Sequence, residues 1–240
     1  MTVIELRQYT LHPGRRDVLV ELFDREFIES QESLGMQVVG QFRDLNDPDR
    51  FVWLRAFPDM DSRAAALAAF YLDGSAWREH GPAANATMVD STNVLLLRPA
   101  RAGSGFAPPD DPRPPVGATE RPGSRIVATI YHRPIPVDEQ FVRFVDGDVI
   151  PLMAELGAEP LARLETEPAR NSFPRLPVRT GGHVFAWFAR FDSPAHHRAH
   201  LRGLARSRRW NETVRPRLLT RLAAAPRQLT LEPTARSRLR

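Results

Sequence analysis

The chain has 240 residues, 42% of them hydrophobic and 26% charged, with 33 basic and 29 acidic side chains for a net charge of +4. This is globular composition for one large domain or two small ones, and no apolar run approaches the ~20 residues that cross a bilayer. Cysteine and lysine are both absent, which excludes disulfides, thiolate nucleophiles, cysteine-ligated metal sites and Schiff-base or pyridoxal-phosphate chemistry.

The first segment, Met1 onward, reads as a strand over Val3–Leu11 with no basic-then-apolar leader, so a cytoplasmic protein with no membrane partner is expected. Ile4 and Leu6 lie on one face of this strand, and Glu5, Arg7 and Tyr9 on the other. Pro13-Gly14 ends it, and Leu19, Leu22, Phe23 and Phe27 mark a helix closed by Gly35. Met36–Leu45 and Phe51–Phe57 are two strands joined by the turn residues Asn46-Asp47-Pro48-Asp49. A helix over Ser62–Tyr71, a further helical stretch carrying Trp77 and a strand over Asn93–Arg98 complete a β-α-β-β-α-β unit. Residues 100–124 follow, with Gly103-Ser104-Gly105, Pro108-Pro109-Asp110-Asp111-Pro112 and Pro114-Pro115, a linker unable to hold a helix or an inner strand.

The second half repeats the first. Tyr9 and Tyr131, Leu19 and Phe141, Ile28 and Ile150, and Gly35 and Gly157 each stand 122 residues apart. After the segment 165–182 the offset becomes 134, so that Phe51, Trp53 and Phe57 overlay Phe185, Trp187 and Phe191; Trp77 pairs with Trp210 at 133. All four tryptophans fall into two matched pairs, the mark of an internal duplication. The expected boundaries are a first domain at 1–99, the linker at 100–124 and a second domain at 125–235. The expected fold class is α+β, with tandem ferredoxin-like βαββαβ repeats whose sheets cover one another in a sandwich or barrel of eight strands, helices outside. In that arrangement Phe51, Trp53, Phe57, Phe185, Trp187 and Phe191 are expected in the core between the sheets. Pro151 is expected to kink its helix, and the basic tail Arg236–Arg240 to be a frayed end.

Glu5-Leu6-Arg7-x-Tyr9-x-Leu11-x-Pro13-Gly14, Val39-Gly40-Gln41-Phe42, the strand Val52-Trp53-Leu54-Arg55-Ala56-Phe57 and the run Ser62-Arg63-Ala64-Ala65-Ala66 resemble a NIPSNAP-family domain. The resemblance covers residues 3–98, and residues 125–233 resemble a degenerate second copy. It implies a dimeric α/β-barrel fold related to small antibiotic-biosynthesis monooxygenases, and no single reaction, since animal members are associated with vesicle traffic and mitochondrial signalling.

Glu5, Arg7 and Tyr9 are the candidate catalytic residues. They should lie against Trp53 and Arg55 on the neighbouring strand, where an arginine can anchor an oxygen, Glu5 can act as base and Tyr9 can donate a hydrogen bond. A structural ion network is the alternative, because the second half has Val127 and Thr129 in place of Glu5 and Arg7 and keeps only Tyr131. Trp77 and His80, with Asn85, are further substrate-contact candidates, from the likeness to monooxygenase-type folds, as is His132 beside a second-half strand. His196 and His200 have a spacing that can share a metal, but no cysteine or His-Glu-x-x-His pattern completes it, so no metal is expected there. No glycine-rich phosphate loop or nucleophile elbow is present, and no cofactor or nucleic-acid partner is expected.

Together these features point to a NIPSNAP-like protein that binds a small, largely apolar molecule and acts on it without a cofactor, as an oxygenase, isomerase or cyclase of secondary metabolism. A non-enzymatic interaction or sensing protein and a haem or metal binder through the histidines are the alternatives. A homodimer through outer sheet edges or the Trp77 and Trp210 helices stays open beside a monomer.

Overall fold

The computed structural model describes residues 3–108 and 111–240; Met1 and Thr2, before the predicted first strand, and Pro109 and Asp110, in the predicted linker, lie outside the described residues. Strand β1 spans Val3–Leu11. Helix α1 (Arg16–Leu22) passes through a π-helical turn at Phe23–Phe27 into α2 (Ile28–Glu32). Strands β2 (Gln37–Asp44) and β3 (Arg50–Phe57) follow, then α3 (Met60–Ala68), a second π-helical turn and α4 (Ser75–Asn85). A three-residue strand not expected from the sequence, β4 (Met88–Asp90), precedes β5 (Val94–Pro99).

The second half runs β6 (Arg125–Arg133), α5 (Glu139–Phe144), α6 (Ile150–Glu155), β7 (Glu159–Thr166), β8 (His183–Phe191), α7 (Pro194–Arg206), α8 (Arg215–Leu219) and β9 (Arg227–Pro233). Pro151 sits at the start of α6, directly after a π-helical turn at Val145–Val149. A proline removes one amide from the hydrogen-bond ladder, and a widened turn accommodates the loss. Gly35 and Gly157 have φ of +83° and +95°, the left-handed conformation that closes a helix at no steric cost to glycine.

Strand pairing runs β3-β2-β9-β6-β8-β7-β5-β1 and returns from β1 to β3, closing one eight-stranded barrel, with β4 appended to β1. Within the first half the order is β2-β3-β1-β5, and within the second β7-β8-β6-β9. Two seams join them. In one, Phe42, Arg43 and Asp44 of β2 face Pro233, Glu232 and Leu231 of β9. In the other, Leu97, Arg98 and Pro99 of β5 face Thr166, Glu165 and Leu164 of β7. The barrel therefore closes within one chain.

Alternation along the strands sorts side chains into three cores. Ile4, Leu6, Val52, Leu54, Ile126, Ala128, Ala186 and Phe188 fill the barrel interior. Phe51, Trp53 and Phe57 point outward under α1–α4, and Phe185, Trp187 and Phe191 outward under α5–α8. The expectation that these aromatics form the core between the sheets is corrected. The barrel lumen takes the mainly aliphatic parity, with Phe42 and Phe188 the rings among it, and the space beneath the helices takes these six aromatics.

The linker and the tail also differ from expectation. Residues 100–124 form no helix or strand among those described, yet they lie packed against the barrel, with Phe106 against Phe188 and Arg113 donating to Val38 O, Arg236 O and the Glu32 carboxylate. The tail is not frayed. Arg236 is buried and binds Pro114 O, Asp24 O and the Glu29 carboxylate, and Leu239 N donates to Val39 O. Arginine-to-carbonyl and ion-pair contacts order a basic segment that looks solvated by composition alone.

Candidate functional site

The strand register of the first half brings the predicted cluster together. Glu5 faces Arg55, Arg7 faces Trp53 and Tyr9 faces Phe51 across the β1–β3 pair, all on the helix side. Helix α3 adds Arg63, which lies one and two turns before Leu67 and Phe70 on the same buried stripe. Glu5, Arg7, Arg55 and Arg63 are all between 0% and 1% exposed.

Glu5 holds all three guanidiniums. Its Oε2 lies 2.6 Å from Arg7 Nη1 and 2.7 Å from Arg55 Nε, and its Oε1 lies 2.7 Å from Arg63 Nε. Burial alone would push the Glu5 carboxyl up, but Arg55, Arg7 and Arg63 together hold it well below the usual carboxylate range. A carboxylate so stabilised and so fully occupied is an anchor, and a poor proton acceptor. The remaining guanidinium contacts are to neutral groups. Arg7 Nε donates to Tyr9 Oη at 2.7 Å, Arg55 Nη1 to Gln31 Oε1 at 3.0 Å and Tyr71 Oη at 3.3 Å, and Arg63 Nη1 to Asn171 and Ser172. Asn171 and Ser172 come from the long β7–β8 loop of the second half, so the cluster also ties the two halves together.

Next to this network is a small cavity of about 70 Å³ between the sheet and α1–α4, lined among others by Tyr9, Gln31, Trp53, Tyr71, Trp77 and Asn85. Trp77 thus lines the same cavity as Trp53, its ring 4.7 Å from Tyr71. His80 does not. Its Nε2 lies 3.4 Å from the Glu26 carboxylate at the outer side of α4, a quarter exposed. His132, partly exposed at the end of β6, lines neither this cavity nor the one described next.

The second half has the same register with different side chains. Val127 faces Ala189, Thr129 faces Trp187 and Tyr131 faces Phe185. Small or apolar groups thus stand where Glu5, Arg7 and Arg55 stand in the first half, and the space they leave is a cavity of about 240 Å³. Met153, Leu204, Trp210 and Leu218 supply much of the rest of its wall. Its polar groups are few. Trp187 Nε1 donates to Tyr131 Oη at 3.1 Å, and burial pushes the Tyr131 phenol up, so it keeps its proton. His197 and His200 of α7 both line the cavity, with rings 4.7 and 5.0 Å from Phe191.

Burial lowers the pKa of both histidines, aided by their neighbours His200 and Arg125 for His197 and by His196 for His200, against the raising effect of the Leu156 carbonyl on His200. Both rings are neutral at pH 7. His200 Nδ1 lies 3.0 Å from Leu156 O, which can only accept, so the proton sits on Nδ1 and Nε2 is left as an acceptor. His196, by contrast, is partly exposed and faces Asp192. Among the described residues no group of three or more histidines, aspartates or glutamates is placed to hold a metal ion.

Sequence reasoning missed Arg63, Gln31, Tyr71 and the His197–His200 wall. Arg63 carried a usable signal, as the one charged residue on the apolar face of an alanine-rich helix. The histidines carried a partial one, since His197 shares a helical stripe with Leu201 and Leu204. Gln31 and Tyr71 reach the cluster only through tertiary packing.

The family model described as NIPSNAP matches residues 4–102, the first half of the chain. Three solved structures are similar over nearly the whole chain. A "putative monooxygenase" from Fusobacterium nucleatum subsp. nucleatum has a TM-score of 0.62 at 8% identity, covering 97% of this chain and 92% of its own. Another, from Lactobacillus acidophilus, has a TM-score of 0.57 at 10% identity, covering 97% and 94%. An anthrone oxidase-like protein has a TM-score of 0.59 at 13% identity, covering 97% and 91%. At these identities the likeness is one of fold. Among curated proteins, none matches the chain.

Proposed function

We propose that this is a cytoplasmic enzyme that binds a small, largely apolar molecule of one or two rings beneath α5–α8 and acts on it without a cofactor. The observation that carries the reading is the apolar cavity of about 240 Å³ whose few polar groups include two neutral histidines and a protonated tyrosine. An engineered apolar cavity of ~150 Å³ accepts benzene, so this one has room for a larger ring system. His200 Nε2 is the proton acceptor and Tyr131 Oη the donor that steadies the oxygen on which charge develops. Proton removal from an acidic C–H or O–H is a first step by which such a base can serve cofactor-independent oxygenase, isomerase or cyclase chemistry of secondary metabolism.

In this reading the chain is two tandem NIPSNAP-like domains, 1–99 and 125–235, joined by the segment 100–124, and the second copy has lost its ionic cluster. Glu5, Arg7 and Tyr9, with Trp53 and Arg55, are then an electrostatic framework in place of acid–base machinery. The concave, mainly apolar cavity with its histidines and tyrosine favours this over a purely interacting or sensing role.

Titration with the uncharged two-ring fluorophore 1-naphthylamine tests it. Saturable fluorescence enhancement is expected for the native protein and is expected to be lost in Ala189→Phe, which fills the space that Arg55 occupies in the first half. Equal binding by a folded Ala189→Phe variant would refute the assignment.

A further inference from the structure

The N-terminal cluster carries an electrostatic imbalance that the proposed activity does not use. Three guanidiniums share one carboxylate, and every other hydrogen-bond partner they have among the described residues is neutral. Buried charge without a counter-charge is costly, so an excess of two positive charges in a water-poor site favours an anion nearby. Arg7 and Arg55 are also stacked against the faces of Trp53, Tyr9 and Tyr71, at 5.0–5.7 Å from the ring centres. Those contacts soften the excess without cancelling it.

The donors in the adjoining cavity have the matching character. Trp53 lines the cavity, and its Nε1 is buried with no hydrogen-bond partner, as is Arg55 Nη2 behind it. Tyr9 Oη accepts from Arg7 and Tyr71 Oη accepts from Arg55, which leaves each phenol proton free to donate. Burial pushes the Tyr9 phenol up, so its proton stays in place at neutral pH. Indole and phenol donors backed by guanidiniums therefore border a space of about 70 Å³. This exceeds the ~10–15 Å³ of one water and is smaller than a benzene cavity.

We propose that this cavity is a binding site for a small carboxylate of the size of acetate, its oxygens accepting from Trp53 Nε1 and the hydroxyls of Tyr9 and Tyr71, with Arg7 and Arg55 behind them. The site is separate from the C-terminal cavity, and its counterpart there has neither the arginines nor an unpaired indole N–H, because Trp187 Nε1 is spent on Tyr131.

The test is calorimetric titration and thermal unfolding of the whole chain with acetate, at ionic strength held constant by gluconate, a carboxylate too large for the cavity. Acetate is expected to bind saturably and raise the unfolding temperature, while uncharged acetamide does neither. Trp53→Phe, which removes the N–H donor together with part of the ring, is expected to weaken acetate by about tenfold, as is Tyr71→Phe, which removes only a hydroxyl, since each loses a hydrogen bond to a charged group. Trp187→Phe should leave acetate affinity unchanged. Absence of saturable acetate binding in the native protein, equal binding of acetamide, or unchanged affinity in both Trp53→Phe and Tyr71→Phe would overturn the proposal.

Discussion

Replacing Glu5 by glutamine keeps the side-chain size and removes the charge that three buried guanidiniums share. All three ion pairs lie at 2.6–2.7 Å with every partner at most 1% exposed. Breaking one such buried pair from one side costs about 3–5 kcal/mol, because the partner's charge is left uncompensated. Here three charges are stranded, and the glutamine carbonyl can still accept from one or two guanidinium N–H groups, so about 3–5 kcal/mol is taken as the loss. For a chain of 240 residues each kcal/mol corresponds to about 2–4 °C, which gives a fall in Tm of roughly 6–20 °C. Because the folded-state pKa of Glu5 is depressed, its contribution is fully present above the ordinary carboxylate range and is lost only as pH falls through the depressed value. The difference between native and Glu5→Gln proteins should therefore stay constant from pH 8 to pH 5. Calorimetric unfolding across that range is the assay. A second variant, Glu5→Gln with Arg55→Gln, should be less destabilised than the two single changes summed, since it removes one stranded charge. A Tm within 2 °C of native for Glu5→Gln would refute the reasoning, and would mean that the guanidiniums do not depend on this carboxylate.

Asp24, under the C-terminal tail, has a carboxyl pushed up to about 6 by burial, against lowering by its Thr234 hydrogen bond and by Arg236. A raised carboxyl makes the folded state hold its proton longer, so stability falls as pH rises from about 4 to about 6, by about 3 kcal/mol for this displacement from 3.8. Asp24→Asn should be more stable than native at pH 7.5 and equal to it at pH 4; urea unfolding at the two pH values decides. Arg236→Ala should cost about 1.5–3 kcal/mol through lost hydrogen bonds to Pro114 O, Asp24 O and Glu29, and a variant as stable as native would return the tail to a frayed end. In the C-terminal cavity, histidine pKa values lowered by burial predict that naphthylamine binding is unchanged at and above neutral pH and weakens only in acid, below the ordinary histidine range, as an imidazolium forms. The pH dependence should shrink in His197→Phe or His200→Phe; an acid-side loss of binding that is the same in the native protein and in both variants would contradict the placement of the histidines in the cavity.

Much of the fold was legible because it rests on periodicity and punctuation. The alternation in Val3–Leu11, the helical stripe of Leu19, Phe23 and Phe27, and the glycines at 35 and 157 are local signals with local causes. The match of Tyr9 with Tyr131 and of Trp53 with Trp187 carried the same reading to the second half, and parity alone placed Glu5, Arg7 and Tyr9 on one face. What parity leaves open is which face becomes the lumen. The barrel interior went to the mainly aliphatic parity that also carries Phe42 and Phe188, and the rings of Phe51, Trp53, Phe185 and Trp187 went beneath the helices.

Tertiary structure alone decided the chemistry. Arg63 joins Glu5 across 58 residues, Asn171 joins Arg63 across 108, and Arg236 returns to Glu29 across 207; no local pattern encodes contacts of that separation. Where the first half has Glu5, Arg7 and Arg55, the same strand register in the second half has Val127, Thr129 and Ala189, a difference visible in the sequence. That this difference leaves a cavity of about 240 Å³ walled by two histidines, while the charged half keeps only about 70 Å³, depends on how α7 and α8 settle over the sheet. Side-chain identity sets what a cavity can bind, but packing sets whether there is a cavity, because empty volume is what remains after every neighbouring side chain has found its place.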